Sequence, residues 1–262
     1  MWTTGVHDYK YRLRDPKFGI KDSARQACAK HHQHWEIFFW DLHAMTAFVT
    51  EFYPWFLPIF LGYGKEINQA DAVRPFILQK LGGVYLDLDT QCIKPMDISL
   101  QGGYDAIFQA SMHEGLNNGM MASKPGLALW MDMVDLLKER APWAEISSAA
   151  EADFEDADAE EEWESELTEE ERQLRASPIW QTGPRVLTEA LRRNAEPPFE
   201  PSTITPGGKF QWRGATVLVQ ELGSWFMPCW WQDKECRRKY EGHSSDLPDN
   251  VFGYHWFAST WG

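Results

Sequence analysis

Gly82-Gly83-Val84-Tyr85-Leu86-Asp87-Leu88-Asp89 is the stretch on which the reading of this chain turns. Side chains alternate across a strand. Leu86 and Leu88 are therefore expected to point into a core, while Asp87 and Asp89 leave together from the other face. Two carboxylates on one face repel unless a cation sits between them. They are hard oxygen ligands of the kind Mg²⁺ or Mn²⁺ prefers, and such ions commonly bridge substrate phosphates as well. A bare D-x-D is also what two solvent-facing aspartates at a strand end look like, so the flanking sequence has to choose between the two.

The flank runs from Gln69 to Pro95, QADAVRPFILQKLGGVYLDLDTQCIKP. Ala72, Val73, Phe76, Ile77 and Leu81 recur at near-helical spacing. The pattern stops at Gly82-Gly83, an ordinary helix C-terminal signal. Asp71 and Arg74 lie three apart and share a helix face, either as a functional pair or as a surface ion pair worth ~0.3–0.5 kcal/mol. Pro75 disturbs the pattern, because proline is tolerated in a first turn and kinks an interior. The helix either starts near Arg74, which leaves Asp71 on a loop, or bends there.

Working outward, Glu36–Trp40 reads as a strand, and Asp41–Phe52 as a helix with Asp41 as N-cap. Strand 84–88 comes after the helix that precedes the acid pair. Tyr104–Ala110 and Met120–Ser123 read as strands, Leu127–Arg140 and Gly183–Arg193 as helices, and Thr216–Gln220 and Val251–His255 as late strands. Strands alternating with helices argue an α/β fold with a mostly parallel sheet.

In this order the motifs resemble glycosyltransferases whose sugar-binding region carries a D-x-D motif (the family 32 type). These include fungal mannosyltransferases that act on inositol phosphorylceramide and those that initiate outer-chain N-glycans. The family pattern is an a-D-x-x-R step, a helix, G-G-x-Y-x-D-x-D and a basic-Pro step. Tyr53-Pro54-Trp55-Phe56-Leu57-Pro58 is similar to its Y-P-W-F-L-P. Asn118 through Gly126 resembles N-x-x-M-A-S-x-P-G, Thr182-Gly183-Pro184 its t-G-P, and His255 through Trp261 its closing H-x-x-x-S-W region. The resemblance covers about residues 35–143 and 177–262.

What it implies is a GT-A type domain over residues 1–262, with one Rossmann-like, mostly parallel sheet flanked by helices. The nucleotide would lie at the carboxyl ends of the strands, where open α/β sheets bind ligands. The implied activity is metal-dependent, retaining transfer of a hexose, foremost mannose from GDP-mannose, to an inositol phosphorylceramide-type glycolipid. An N-glycan outer chain is the alternative acceptor, and an inactive, truncated nucleotide-sugar-binding module is the alternative of another class. Asp87 and Asp89 would be catalytic. Asp89, Asp87 and His255 would hold Mn²⁺ or Mg²⁺, although His255 reads equally well as a core histidine. Asp71, Arg74 and Asn118 would contact the sugar, Asn118 reading equally as a turn residue before Gly119. Ser259 and Trp261 would close over the diphosphate, and Trp2 would stack on the base.

The family usually opens with a strand before a W-k-t step. This chain starts at Met1-Trp2-Thr3-Thr4, as though the step were kept and the strand were missing. An N-terminal membrane anchor upstream, and with it a Golgi or other secretory-pathway membrane, is the corresponding expectation. Within the chain itself no stretch reaches the ~18 apolar residues of a membrane span, and no signal peptide is visible.

Composition agrees with one enzyme-sized unit of 262 residues, 44% apolar, with a net charge of −14. Residues 151–172 contain thirteen acids and one arginine, so the remainder is near neutral. Residues 144–176 are expected to form a solvated, disordered acidic insertion, and no basic patch points to nucleic acid. The chain has fourteen tryptophans, and sugars stack on such rings, but Trp40, Trp55, Trp130 and Trp180 read first as core. Cys28, Cys92, Cys229 and Cys236 form no C-x-x-C, which argues against zinc. A Cys229–Cys236 disulfide fits a secretory lumen. His31-His32-x-His34 reads as a solvated helix face before it reads as a metal site.

Overall fold

The computed structural model describes residues 26–111, 115–141, 176–193, 207–229, 233–240 and 247–255. Helical residues 26–31 form α1. They are followed by α2 (Leu42–Phe52), α3 (Leu57–Gly62), α4 (Glu66–Leu81), β1 (Gly83–Leu86), β2 (Thr90–Cys92), β3 (Ala106–Ser111), β4 (Gly115–Ser123) and α5 (Ala128–Glu139). Next come α6 (Pro178–Gln181), α7 (Pro184–Arg193), β5 (Lys209–Trp212), β6 (Ala215–Gln220), α8 (Lys234–Tyr240) and β7 (Gly253–His255). The class is α/β, a sheet covered by helices.

The five-stranded sheet has the order β1-β4-β3-β6-β5. β4 runs antiparallel to both β1 and β3, and β3 pairs parallel with β6. β1, β3 and β6 therefore share one direction, with β4 and β5 opposed to them. The sheet is mixed rather than a plain run of parallel pairs. The reason is local: β5 and β6 are joined only by Arg213-Gly214, at φ 47° and 83°, only three residues separate β3 from β4, and connections that short can make only antiparallel hairpins.

Alternation along the strands sorts two cores. Val84, Leu86, Ile107, Met120, Ala122 and Leu218 pack with Trp225, Phe226, Met227 and Phe252 on one face. Tyr85, Phe108, Met121, Val217 and Val219 face the helices on the other. Trp40 and Trp130 lie in the helical core, whereas Trp55 is 50% exposed and carries Lys138 Nζ over its ring at 5.6 Å.

α2 starts as its sequence says, with the Asp41 carboxylate accepting from Ala44 N–H at 2.8 Å. α4 settles the choice that Pro75 left open. It begins at Glu66, runs through Pro75 without ending, and so carries Asp71 on the helix. An interior proline costs about 3 kcal/mol. Burying Phe76, Ile77 and Leu78, each fully enclosed, contributes about 1.5–3 kcal/mol apiece, so packing carries the helix across the proline. α4 ends at Gly82 with φ 62°, where an added Cβ would come within 2.6 Å of Pro125. Glycine alone fits both the backbone and the space.

Two further expectations change. Residues 36–40 join no strand among the described residues. His32 is not on a solvated face: it is 2% exposed, its Nδ1–H donates to Cys28 C=O at 2.9 Å, and Met96 N–H donates to its Nε2 at 3.0 Å. His34 is exposed and meets Asp97 at 2.9 Å, so the three histidines converge on no metal. Disulfides link Cys28 to Cys92 and Cys229 to Cys236. No single helix among the described residues is long and apolar enough to cross a membrane.

Candidate active site

β1 stops at Leu86, and the acid pair sits just beyond its end. Asp87 N–H donates to Gly119 C=O at 2.8 Å, and Thr90 N–H donates back to Asp87 C=O at 2.9 Å. The two carboxylates are thus brought together by a turn over 87–90, not by two pleats of one strand, and Leu88 in that turn is only half-buried. The turn leads into β2, which pairs with β7 so that Thr90 lies opposite His255. His255 Nε2 stands 3.2 Å from Asp89 Oδ1 and 3.7 Å from Asp87 Oδ2. Ligand atoms of Asp87, Asp89 and His255 lie within 4.8 Å of one another. Two hard oxygens and an imidazole nitrogen, partly withdrawn from water, suit Mn²⁺ or Mg²⁺.

Behind this cluster the site is an ion-pair network. Arg74 Nη1 meets Asp71 Oδ1 at 2.6 Å, and Nη2 meets Asp87 Oδ1 at 2.8 Å. The Tyr85 hydroxyl donates to the same Asp87 oxygen at 2.5 Å, and the Arg74 guanidinium lies 4.8 Å over the Tyr85 ring, a favourable cation–π geometry. Asn118 Nδ2 donates to Asp71 Oδ1 at 3.3 Å, and Asn118 C=O accepts from Arg74 Nη1 at 3.1 Å. Thr182 Oγ1 donates to the other Asp71 oxygen at 3.3 Å. Gly119 leaves the space these groups need, since a Cβ there would lie 2.5 Å from Asp87 Oδ2.

Burial sets one sign of the electrostatics and the network sets the other. It pushes the Asp71 carboxyl up to about 6 although Arg74 opposes the shift. It works against the Asp87 charge too, but there Arg74, helped by His255 and Tyr85, prevails and holds the carboxyl below its usual range. Burial alone would lower His255, but Asp87 and Asp89 raise it to about 9.

The structure thus brings together six of the sequence-predicted residues: Asp71, Arg74, Asp87, Asp89, Asn118 and His255. Trp2, Ser259 and Trp261 lie outside the described residues, as do residues 144–175 of the acidic insertion. Tyr85 and Thr182 are site residues that sequence reasoning passed over. Tyr85 had a signal, because it shares the Asp87 face of the octet. Thr182 had only its place in the t-G-P motif.

Residues 21–109 match the glycosyltransferase sugar-binding region containing a DXD motif. The chain is 35% identical over 111 residues to inositol phosphoceramide mannosyltransferase 3 of Schizosaccharomyces pombe, covering 42% of this chain and 31% of that one. It is 33% identical over 129 residues to mannosyl phosphorylinositol ceramide synthase CSH1 of Saccharomyces cerevisiae, covering 49% and 33%. For mannosyl phosphorylinositol ceramide synthase SUR1 of the same yeast the values are 35% over 114 residues, 44% and 29%. The matched chain spans about a third of the length of these relatives. Among solved structures, the PaToxG glycosyltransferase superposes with a TM-score of 0.39 at 15% identity, over 66% of this chain and 53% of its own.

Proposed function

We propose that the protein is a divalent-cation-dependent, retaining glycosyltransferase that moves mannose from GDP-mannose onto an inositol phosphorylceramide-type glycolipid. The observation that carries the reading is the convergence of Asp87, Asp89 and His255 within 4.8 Å beside a buried acid–arginine pair. The names of the matched relatives support the sugar and the acceptor.

Asp89, His255 and Asp87 would hold Mn²⁺ or Mg²⁺, which supplies Lewis-acid neutralisation of the charge developing on the departing diphosphate. Arg74 fixes Asp87 from behind and, with Asp71 and Asn118, offers polar groups to sugar hydroxyls. Asp71 and Asp87 are both tied to Arg74, so neither is placed as a nucleophile. The acceptor hydroxyl then attacks the anomeric carbon on the face that the diphosphate leaves, and its proton passes to the leaving diphosphate oxygen. Two disulfides support an oxidising, secretory-pathway lumen as the setting, with the Golgi membrane the expected site for a lipid acceptor.

The test pairs donor binding with turnover. GDP-mannose should raise the melting temperature in Mn²⁺ and much less in EDTA, because a ligand bound only by the folded state stabilises it by mass action. Mannose should then pass to inositol phosphorylceramide in detergent. Equal thermal shifts in both conditions would remove the cation from the mechanism. Binding without transfer to lipid or glycan would make the protein a nucleotide-sugar-binding module.

A further inference from the structure

The Tyr53–Pro58 motif takes no part in the proposed mechanism, yet part of it lies at the surface. From Phe52 to Gly64 the chain has no charged side chain. Phe56 and Phe60 go into the core, whereas Trp55 is 50% and Leu61 56% exposed. Ile179 of α6 is 55% exposed. Large apolar side chains in water are informative when they gather rather than scatter.

Cations tie these side chains into one face. Near the end of α5, Lys138 Nζ lies over the Trp55 ring at 5.6 Å. Two residues on, the Arg140 guanidinium lies over the Trp180 ring at 4.4 Å and donates to Trp180 C=O at 2.6 Å. The end of α5 therefore joins the Trp55 side to the Ile179–Trp180 side. Beyond Tyr53, Lys80 Nζ lies over the Phe52 ring at 4.7 Å. Basic heads seated on aromatic bodies are the chemistry of a lipid–water boundary. Lys138 also meets Asp135 at 3.1 Å, but both side chains are exposed, and such a pair is worth little.

The elements that carry the face also adjoin the sugar-binding half of α4. Gln69 Nε2 donates to Phe60 C=O of α3 at 3.2 Å, Asn68 Nδ2 to Gln181 Oε1 of α6 at 2.6 Å, and Thr182 Oγ1 to Asp71 Oδ2 at 3.3 Å. α2 and the η1–α3 segment together have the length and apolar composition of a membrane segment, but they bend by 120°, and Phe48, Phe56 and Phe60 are committed to the core. Such a pair can lie on a bilayer and not cross it. A second copy fits less well, because an isologous contact would bring the same three cations to it from both sides. The phosphate layer of an anionic membrane is complementary to them.

We propose that Trp55, Leu61 and Ile179, with Lys80, Lys138 and Arg140 at headgroup level, dock the protein onto the surface of an anionic phospholipid bilayer. The inference deepens the glycolipid reading and rests on it: the acceptor's lipid chains would stay in the bilayer while its headgroup reaches the site beside α4.

The experiment sediments the full chain with phosphatidylcholine vesicles, with and without phosphatidylinositol. Wild-type protein should partition to both, several-fold more strongly to the anionic vesicles, and the difference should shrink in high salt. Trp55→Ser/Leu61→Ser/Ile179→Ser should weaken partition about 10-fold or more, because it removes apolar area from the contact. Lys80→Gln/Lys138→Gln should erase the preference for phosphatidylinositol. Both variants should keep the thermal shift that GDP-mannose gives in Mn²⁺, which shows that they fold and that the site is intact. A folded triple variant that partitions like wild type would overturn the proposal. So would wild-type protein that ignores vesicles while transferring mannose in detergent, and that result would leave the proposed function standing. A wild-type dimer that the triple variant loses, without vesicle binding, would give the face to a second copy and overturn the proposal as well. Vesicle binding that the triple variant loses, without transfer to any acceptor, would keep the docking surface and remove the activity.

Discussion

Arg74 is the residue on which the site's charge balance rests. It is 4% exposed and neutralises two carboxylates at once, Asp71 and Asp87. Asp89 lies outside that arrangement and faces His255. The two acids of the DXD motif are consequently unequal. Asp89→Asn should abolish detectable transfer and cation binding, and its cost in stability should come through the buried His255 ring that Asp89 faces, Arg74 keeping both of its carboxylate partners. Asp87→Asn should weaken donor binding, lower the rate and also destabilise the fold, because the acceptor shared by Arg74 and Tyr85 loses its charge. The loss of one charge-stabilising group typically costs ~3–4 kcal/mol, or 10²–10³ in rate. Transfer assays with excess donor, beside urea melts, read both quantities. A folded Asp89→Asn protein with near-wild-type turnover would sink the cation mechanism.

At the scale of elements, the site is held by a ladder and a staple. β2 comes directly after the acid turn and pairs with the strand carrying His255, and the Cys28–Cys92 disulfide ties β2 to α1 over a separation of 64 residues. Loop-closure entropy for a ring of that size is on the order of 4 kcal/mol. The Cys28→Ala/Cys92→Ala pair should lose stability of that order, and the cation affinity should weaken with it as the ladder loosens. His32 sits beside the staple with both ring nitrogens used and a pKa lowered by burial. Protonation at Nε2 would remove the acceptor of Met96 N–H. The unfolded chain takes up that proton near pH 6.5, and the folded chain resists it. His32 therefore costs no stability above pH 6.5 and erodes it as the pH falls below that value. His32→Gln should flatten the decline in urea midpoint between pH 7 and 5 relative to wild type, and an unchanged slope would exclude this residue.

These elements also mark what can be read without coordinates. The helix–Gly-Gly–strand–acid order is legible because each piece needs particular residue types in a row. The length of α4 was not, because enclosure of Phe76, Ile77 and Leu78 outweighs the local signal of Pro75. The end of β1 was not, because β4 runs on past Met120 to Gly115 and it is a turn over 87–90, hidden within the alternating octet, that ends the strand. Burial of His32 and the contacts of Thr182 and Gln181 with α4 depend on pairings more than 60 and 110 residues apart, and no local pattern records those.

For the molecule as a whole, charge and chemistry are separated along the chain. Thirteen acids fall within residues 151–171, whereas the acids of the described site network stand at positions 71, 87 and 89. Deleting Glu151 to Glu171 should leave solubility, melting temperature and GDP-mannose binding unchanged, since the composition of the segment reads as a solvated loop and loop length enters closure entropy only logarithmically. Loss of soluble protein or of donor affinity on deletion would show that the segment packs against the domain.

The ladder between β2 and β7 also imposes a schedule. His255 is synthesised 166 residues after Asp89. At about 5–20 residues per second, a nascent chain carries the acid pair for about 8–30 s before its imidazole partner exists. Asp71, Arg74, Tyr85 and Asp87 lie within 17 residues of one another and can meet early. The Asp87–Asp89–His255 cluster cannot, because it waits for a long-range strand pairing of the kind that slows folding. An incomplete chain on the ribosome would therefore hold its acid–arginine pair while still lacking His255, which separates the moment at which the pair forms from the moment at which the cluster is complete.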